Sequence, residues 1–217
     1  MKFSNVLFFA SVALAAPTSQ EKRQGVTVAG TLLDTVNTLA TTTQSNLAQI
    51  NSVVASIKDN VGGSVAVEVQ AQLRSNLQAV ATALQAATSA IVTATTGALA
   101  GTGGQALALT NQELQAIITA TQTAQQIVGN ITATLTVTAT DLRPAVSTLF
   151  VTEINNIRNA ISPFITPLLT FVNTVRNASA SASVVVTGLG NLLQQVVPLV
   201  RASFLTLGLS VLGLPAV

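Results

Sequence analysis

An apolar residue stands at every third or fourth position from Val28 to Val61, with Thr43 as the one lapse. This spacing matches an α-helix, which turns once in about 3.6 residues. The reverse face carries Thr, Ser and Gln where a soluble helix normally carries Lys and Glu, and its charged residues are Asp34, Lys58 and Asp59. The pattern predicts a long amphipathic helix that is solvated mainly by neutral side chains.

Four further stretches keep the helical interval, and Gly-rich, Pro-containing or small-residue breaks separate them. Because short connections between long helices favour antiparallel neighbours, we expect an all-α fold, an elongated antiparallel bundle of about five long amphipathic helices. The bundle would form a single domain over residues 24–217. The predicted helices span residues 26–61, 65–100, 105–137, 145–177 and 184–208.

Two segments alternate with period two, as half-buried strands do. The longer one runs from Ile131 to Thr140, and the shorter one comprises Val65, Val67 and Val69. A strand needs a partner, and these two are the strong strand candidates in the chain. We expect helix through about Leu135, followed by a frayed or extended end that offers threonines for O-linked sugar.

The fourth stretch combines prolines with aromatic residues. Pro163 and Pro167 each lack a backbone donor, so we expect a kink near 163–167 or a break between Ile161 and Leu168. The Phe residues of the last two stretches have two interpretations: they form the bulkiest layer of the core, or they line an apolar ligand cavity beside the kink. These residues are Phe150, Phe164, Phe171 and Phe204.

The N-terminus has the features of a secretory signal. Residues 1–15 combine Lys2, a short apolar run and a small-residue cleavage site. Residues 16–23 end in the dibasic pair Lys22 and Arg23, which predicts processing before Gln24 in the manner of the fungal secretory pathway. The alternative is a solvated charge triplet. The expected product is therefore a secreted protein, either extracellular or in the cell wall.

Charge and residue inventory exclude several functions. Of 9 basic and 7 acidic residues, residues 1–23 hold three and one, so the mature chain keeps six of each. The remaining cations are scattered singly, which argues against nucleic acid as a partner. The chain has no Cys and no His, and its carboxylates do not pair on one helical turn. We therefore expect no enzyme activity, no catalytic or metal site and no cofactor.

The C-terminal run from Ala202 to Val217 is sixteen residues without a charge. Three interpretations remain open: a docked fifth helix that ends near Gly208, the removable tail of a glycolipid-anchor signal, and a membrane span. We favour the docked helix, because the segment before Arg201 is apolar and not a polar spacer. No transmembrane span is expected, since the run falls short of the roughly 18 residues that a span needs.

Two sequons predict N-glycosylation behind a signal peptide, at Asn130 and at Asn177. The chain combines a signal peptide, the Lys22-Arg23 site, a Cys-free Ala/Thr/Ser/Val/Leu-rich helical body and local sequences such as Leu33-Asp34-Thr35-Val36-Asn37-Thr38-Leu39. In these features it resembles the secreted fungal hydrophobic surface-binding protein A family, which includes the cell-wall galactomannoproteins. The resemblance implies a helical bundle that associates with the cell wall or hydrophobic surfaces, and for some members capture of fatty acid.

Three functions follow as hypotheses. The first is a secreted, non-enzymatic protein that associates with the cell wall or adsorbs to hydrophobic surfaces, or that holds a fatty-acid-like lipid, because weakly polar helices can lay their apolar faces on an interface. The second is a structural, glycosylated wall mannoprotein without a ligand, with cell-wall polysaccharide as its partner. The third is a secreted effector that recognises a partner protein through a helix face.

Overall fold

The computed structural model describes residues 27–59, 65–101, 109–142, 147–178 and 184–206. Within these ranges the chain is all-α and contains no strand, as the hydrophobic pattern predicted. A 3-10 turn, Thr148–Phe150, precedes the fourth helix. The helices are α1 (Val28–Asp59), α2 (Val67–Gly101), α3 (Asn111–Asp141), α4 (Val151–Ala178) and α5 (Val184–Thr206).

Two ion pairs establish how the helices run. Lys58 Nζ lies 3.2 Å from Asp141 Oδ2, so the last residues of α1 and α3 meet at one end of the bundle. Arg74 Nε lies 2.9 Å from Glu153 Oε1, so the first turns of α2 and α4 also meet. Because α2 begins eight residues after α1 ends and α4 begins ten residues after α3 ends, both ion pairs lie at the same end of the bundle, which we call the ion-pair end.

Consecutive helices therefore run antiparallel, and the bundle is elongated as expected. The fifth helix follows the direction of α3: Gly188 faces Ile118, and Thr206 lines a groove with Thr132. In cross-section the helices form a closed ring in the order α1, α2, α4, α5, α3, with α3 also touching α4 across the interior. Some helix pairs with extensive contact, such as α1 with α3 and α2 with α4, run parallel and are not consecutive in sequence.

One continuous apolar core fills the ring, and all five helices contribute to it. In α1, every member of the predicted stripe from Leu32 to Ile57 is buried. The lapse at Thr43 is also a core position, because this side chain is 2% exposed and its hydroxyl donates to the Leu39 carbonyl at 2.7 Å. The hydroxyl is satisfied by its own helix, so Thr43 packs as a small apolar residue would.

The third helix differs from expectation at both ends. It begins at Asn111 and not near residue 105, because Thr110 and Glu113 form a reciprocal capping box that starts the helix. It continues to Asp141, so the expected extended end after Leu135 is wrong. Thr138 is fully buried there, and its hydroxyl donates to the Thr134 carbonyl at 2.8 Å. Hydroxyl bonds of this kind let a Thr-rich segment remain helical.

The prolines of the fourth stretch do not break it. The helix α4 runs from Val151 to Ala178 with Pro163 and Pro167 inside. Proline has no amide hydrogen, so the carbonyl oxygens of Asn159 and Pro163, four residues earlier, lose their ordinary helical partners. Apolar packing holds the segment as a helix, since Phe164, Leu168 and their neighbours on this face are buried.

Candidate functional site

The predicted aromatic cluster belongs to the core. Phe150, Phe164 and Phe171 are at most 1% exposed and are among the largest fully buried side chains. Phe150 lies in the 3-10 turn, whereas the other two lie in α4. The side chain of Phe204 is outside the described part of the structure. These positions agree with the core interpretation of the Phe residues, and a ligand cavity beside them stays a prediction.

Two surface grooves lie elsewhere, between neighbouring helices. The larger groove, of about 340 Å³, lies between α2 and α4. Most of its lining residues are polar: Gln85, Thr88, Ser89, Asn156, Asn159, Ala160 and Pro163. The smaller groove, of about 260 Å³, lies between α3 and α5 and is lined by Gln125, Gly129, Thr132, Leu199, Val200, Ala202, Ser203 and Thr206. Neither groove includes a Phe. Any acyl chain that contacts the aromatic cluster therefore has to enter the core itself.

Buried threonine hydroxyls donate to carbonyl oxygens of their own helices. The hydroxyls of Thr95, Thr121 and Thr132 each donate to the carbonyl four residues earlier at 2.8 Å. Like Thr43 and Thr138, these side chains are at most 8% exposed. Their hydroxyls are engaged and do not point to a common polar centre. These threonines therefore pack as apolar residues do, whereas Asn76 Nδ2 is buried without a hydrogen-bond partner among the described residues.

The charged residues form ion pairs with partners that are far away in sequence. Glu153 lies five residues before Arg158 in sequence, but it is 7% exposed and pairs with Arg74 of α2. Arg74 Nη2 also donates to the Leu149 carbonyl at 3.2 Å, and its guanidinium carbon lies 5.9 Å from the centre of the Phe150 ring. One arginine thus ties the start of α4 to α2.

Asp141 likewise pairs outside its own neighbourhood. In sequence, Asp141 lies two residues before Arg143 and Lys58 lies beside Asp59, whereas the structure joins Lys58 to Asp141. Both partners lie at the ends of helices, with 58% and 30% of their side chains exposed. Within the described residues, no group of three or more Asp, Glu, His or Cys side chains is placed to hold a metal ion.

The two sequon asparagines are accessible. Asn130 lies on the exposed face of α3, next to Gly129 of the smaller groove. Asn177 lies exposed in the last turn of α4, where its side-chain oxygen accepts a hydrogen bond from Arg176 Nε at 3.3 Å. The processing residues Lys22 and Arg23 lie outside the described residues, as does the segment from residue 207 onward.

Among the described residues, one helix meets the length and composition requirements of a membrane span, whereas no span was expected from the sequence. The segment Val67–Ala98 of α2 is long and apolar enough, and 33% of its apolar window is buried. The signal was present in the sequence, because residues 75–101 carry no charge. Core helices of soluble proteins pass the same test, and Leu73, Leu77 and Leu84 of α2 are fully buried in the bundle.

No family model, curated protein or solved structure matches this chain.

Proposed function

We propose that this protein is a secreted, non-enzymatic protein that associates with apolar surfaces, including those of the cell wall, and that accommodates an acyl chain between its helices. The resemblance to the hydrophobic surface-binding protein A family stays a prediction and does not carry the proposal. The proposal rests on how charge is distributed along the five helices. The bundle supports it through the contrast between an apolar interior and an exterior with few charges.

The observation that carries the proposal is the absence of charge from the middle of three long helices. Residues 35–57 of α1, 75–101 of α2 and 114–140 of α3 contain no Asp, Glu, Lys or Arg. Their exposed positions are occupied largely by Thr, Ser, Gln, Asn and Ala. Moving a neutral hydroxyl or amide out of water costs far less than moving an ion. Such helices therefore lie against an apolar surface more readily than a charged surface helix does.

The same distribution suggests how the core becomes available. The ion pairs Lys58–Asp141 and Arg74–Glu153 lie at the ion-pair end, and one continuous apolar core joins the helices along their length. Separation of the helices should therefore begin at the opposite end, with the ion pairs as a hinge. Burial of each CH₂ group is worth about 0.8 kcal/mol, so a sixteen-carbon chain supplies roughly 12 kcal/mol before association costs are subtracted.

Adsorption to polystyrene beads, measured as depletion from solution, tests the proposal. The protein, purified in native form from the medium into which it is secreted, should be depleted from solution and should keep its helical infrared signal on the beads. Mass spectrometry under non-denaturing conditions should find co-purified lipid. A protein that neither adsorbs nor carries lipid would contradict the proposal.

A charge-insertion variant tests the physical cause. Thr38, Gln49 and Ser52 are exposed on α1. Changing all three to Glu should weaken adsorption without changing the helical circular dichroism, because three ions would have to lose water at the interface. The matched control exchanges neutral residues, as Thr38→Gln, Gln49→Thr and Ser52→Gln, and should adsorb like the parent. Equal adsorption of all three proteins would remove the neutral exterior as the cause.

The exposure of both sequon asparagines favours a second function, that of a structural, glycosylated wall protein. Glycans on Asn130 and Asn177 would extend from α3 and α4 without displacing core side chains. Intact mass before and after removal of N-linked glycans tests this function, together with the fraction that detergent extracts from the wall. An unglycosylated protein that detergent releases completely would exclude it.

A further inference from the structure

The larger groove, between α2 and α4, carries polar groups that the bundle itself does not use. The side-chain amides of Gln85, Asn156 and Asn159 line it, and all three residues are exposed. None of these amides has a hydrogen-bond partner among the described residues. A side-chain amide offers two donors and one acceptor oxygen. Three such groups therefore border one groove with their hydrogen-bonding capacity free for a ligand.

Two hydroxyls add acceptors to the α2 wall of the groove. Thr88 Oγ1 donates to the Leu84 carbonyl at 2.8 Å, and Ser89 Oγ donates to the Gln85 carbonyl at 3.2 Å. Because each hydroxyl hydrogen is used within the helix, the oxygen keeps its lone pairs for a further partner. These bonds also hold both hydroxyls in place, so the α2 wall presents acceptors at fixed positions.

The α4 wall contains a main-chain acceptor that a proline sets free. Pro163 lines the groove and has no amide hydrogen, so the Asn159 carbonyl lacks its ordinary helical donor. Residues four apart lie above one another on a helix, which places this carbonyl between two lining residues. Ala160 and the Pro163 ring supply a small apolar area on the same wall. The wall thus combines amides, a carbonyl oxygen and a carbon surface.

The lining chemistry selects one class of ligand. Among the described residues that line the groove, none is charged or aromatic. Phosphates and carboxylates are usually held by cations, and peptides are usually held by strand edges, apolar or aromatic grooves, or charged clusters. An acyl chain would leave the amides unpaired, which costs binding energy. A sugar hydroxyl both donates and accepts, as these amides do, and the C–H groups of a sugar ring match the apolar area.

We propose that this groove binds a neutral saccharide, with the three amides and the Asn159 carbonyl as its polar contacts. The volume of about 340 Å³ is at the lower end of the range for small-ligand sites, about 300–1,000 Å³, which suits a short section of a sugar chain. Because the groove lies on the surface, a longer chain can continue past it. The inference goes beyond the proposed function, since it requires neither adsorption nor an acyl chain.

Nuclear magnetic resonance of the isotope-labelled full chain tests the site directly. Soluble neutral hexasaccharides of glucose, mannose and N-acetylglucosamine serve as probes at millimolar concentration. At least one of them should shift the side-chain amide signals of Gln85, Asn156 and Asn159. The signals of Gln49 and Asn51, exposed amides on α1, should stay in place. No shift with any of the probes, or equal shifts of the α1 amides, would overturn the proposal.

A double variant measures what the amides contribute. Gln85→Ala with Asn159→Ala should weaken binding of the same hexasaccharide by about tenfold, because two hydrogen bonds are lost. The matched control, Gln49→Ala with Asn51→Ala, removes the same residue types from α1 and should bind like the parent. All four side chains are exposed, so both variants should keep the helical circular dichroism. An unchanged Kd for the groove variant would contradict the proposal.

Replacing the groove proline tests the carbonyl. Pro163→Ala restores an amide hydrogen for the Asn159 carbonyl and should weaken binding about threefold. Pro198→Ala, at an exposed proline inside α5, should leave the Kd unchanged. Equal affinities of these two variants would overturn the role of the carbonyl.

Two further probes test the class of ligand. A neutral peptide of Gly and Ser that shifts the groove amides where no sugar does would assign the groove to a protein chain. Tighter binding of hexagalacturonate than of the neutral sugars would contradict the choice of an uncharged ligand. The groove double variant should adsorb to polystyrene beads like the parent. Failure of the saccharide site is therefore distinguishable from failure of the proposed function.

Discussion

Arg74 and Glu153 are 79 residues apart in sequence, yet their side chains form a 2.9 Å ion pair across the interface of α2 and α4. The two partners differ in environment, because 45% of the Arg74 side chain is exposed and 9% of the Glu153 side chain. Glu153 Oε2 has no hydrogen-bond partner among the described residues. Arg74 is therefore the main compensation for a buried carboxylate.

This asymmetry predicts unequal effects of removing each partner. Arg74→Met leaves the carboxylate buried without its cation and should lower the free energy of unfolding by about 2–4 kcal/mol. Glu153→Gln leaves a half-exposed guanidinium that water can solvate, and the amide oxygen still accepts a hydrogen bond, so the loss should be about 1 kcal/mol. Urea unfolding followed by circular dichroism measures both values, and equal losses would contradict the buried-carboxylate interpretation.

The sequence predicted the helices well because burial follows the turn of the helix. In α4, the stripe through Ile154, Ile157, Ile161 and Phe164 is buried throughout. The pattern was misleading where Thr alternates with apolar residues after Ile131. Period-two spacing there indicated an extended end, but hydroxyl bonds to the preceding turn make these threonines compatible with a helix.

The partners of the charged residues were not predictable from local spacing. Arg74 and Glu153 meet because the ring places α2 beside α4, and neither residue has a sequence signal for the other. The exposure of Leu149, by contrast, follows from local spacing. The stripe of α4 continues four residues before Ile154 to Phe150, which is buried, whereas Leu149 lies five residues before Ile154 and is exposed.

Thr121 tests whether buried threonines serve packing alone. It is fully buried, and its hydroxyl donates to the Ile117 carbonyl at 2.8 Å. Thr121→Val keeps the shape and leaves that carbonyl its helical amide partner, so stability should change by less than about 1 kcal/mol. Thr121→Ser removes a buried methyl and should cost about 1 kcal/mol. Urea unfolding ranks the two variants, and a larger loss for Val would mean that the hydroxyl has a further partner.

Gly129 is predicted to be replaceable with a gain in stability. An added Cβ at this position would meet no atom within 4 Å, as also at Gly97. Because glycine inside a helix costs about 1 kcal/mol relative to alanine, Gly129→Ala should raise the free energy of unfolding by up to about 1 kcal/mol. Gly97→Ala, outside the groove, is the matched control. A loss of stability at Gly129 alone would indicate that the smaller groove needs its open wall.

Replacing Pro163 is predicted to raise the free energy of unfolding. The residue is exposed, so Pro163→Ala removes little packing while restoring an amide donor for the Asn159 carbonyl. After allowance for greater freedom of the unfolded chain, the gain should be about 1–2 kcal/mol. Asn156→Ala, also exposed on α4, controls for helix propensity and should gain about 0.5 kcal/mol. If the two gains are equal, the proline does not strain the helix.

Adsorption should also respond to salt in a way that identifies its cause. Residues 24–217 contain six basic and six acidic residues, and the middle of α1, α2 and α3 contains none. Attraction between charges would fade as the screening length falls from about 30 Å at 0.01 M to about 3 Å at 1 M salt. Apolar contact is not screened, and excluded salts such as sulfate strengthen it. Depletion onto uncharged polystyrene should therefore stay constant in sodium chloride over this range and increase with sodium sulfate.

Carboxylated beads serve as the control surface. A steep decrease with sodium chloride on the uncharged beads would assign adsorption to the scattered cations and would remove the neutral helix faces from the mechanism.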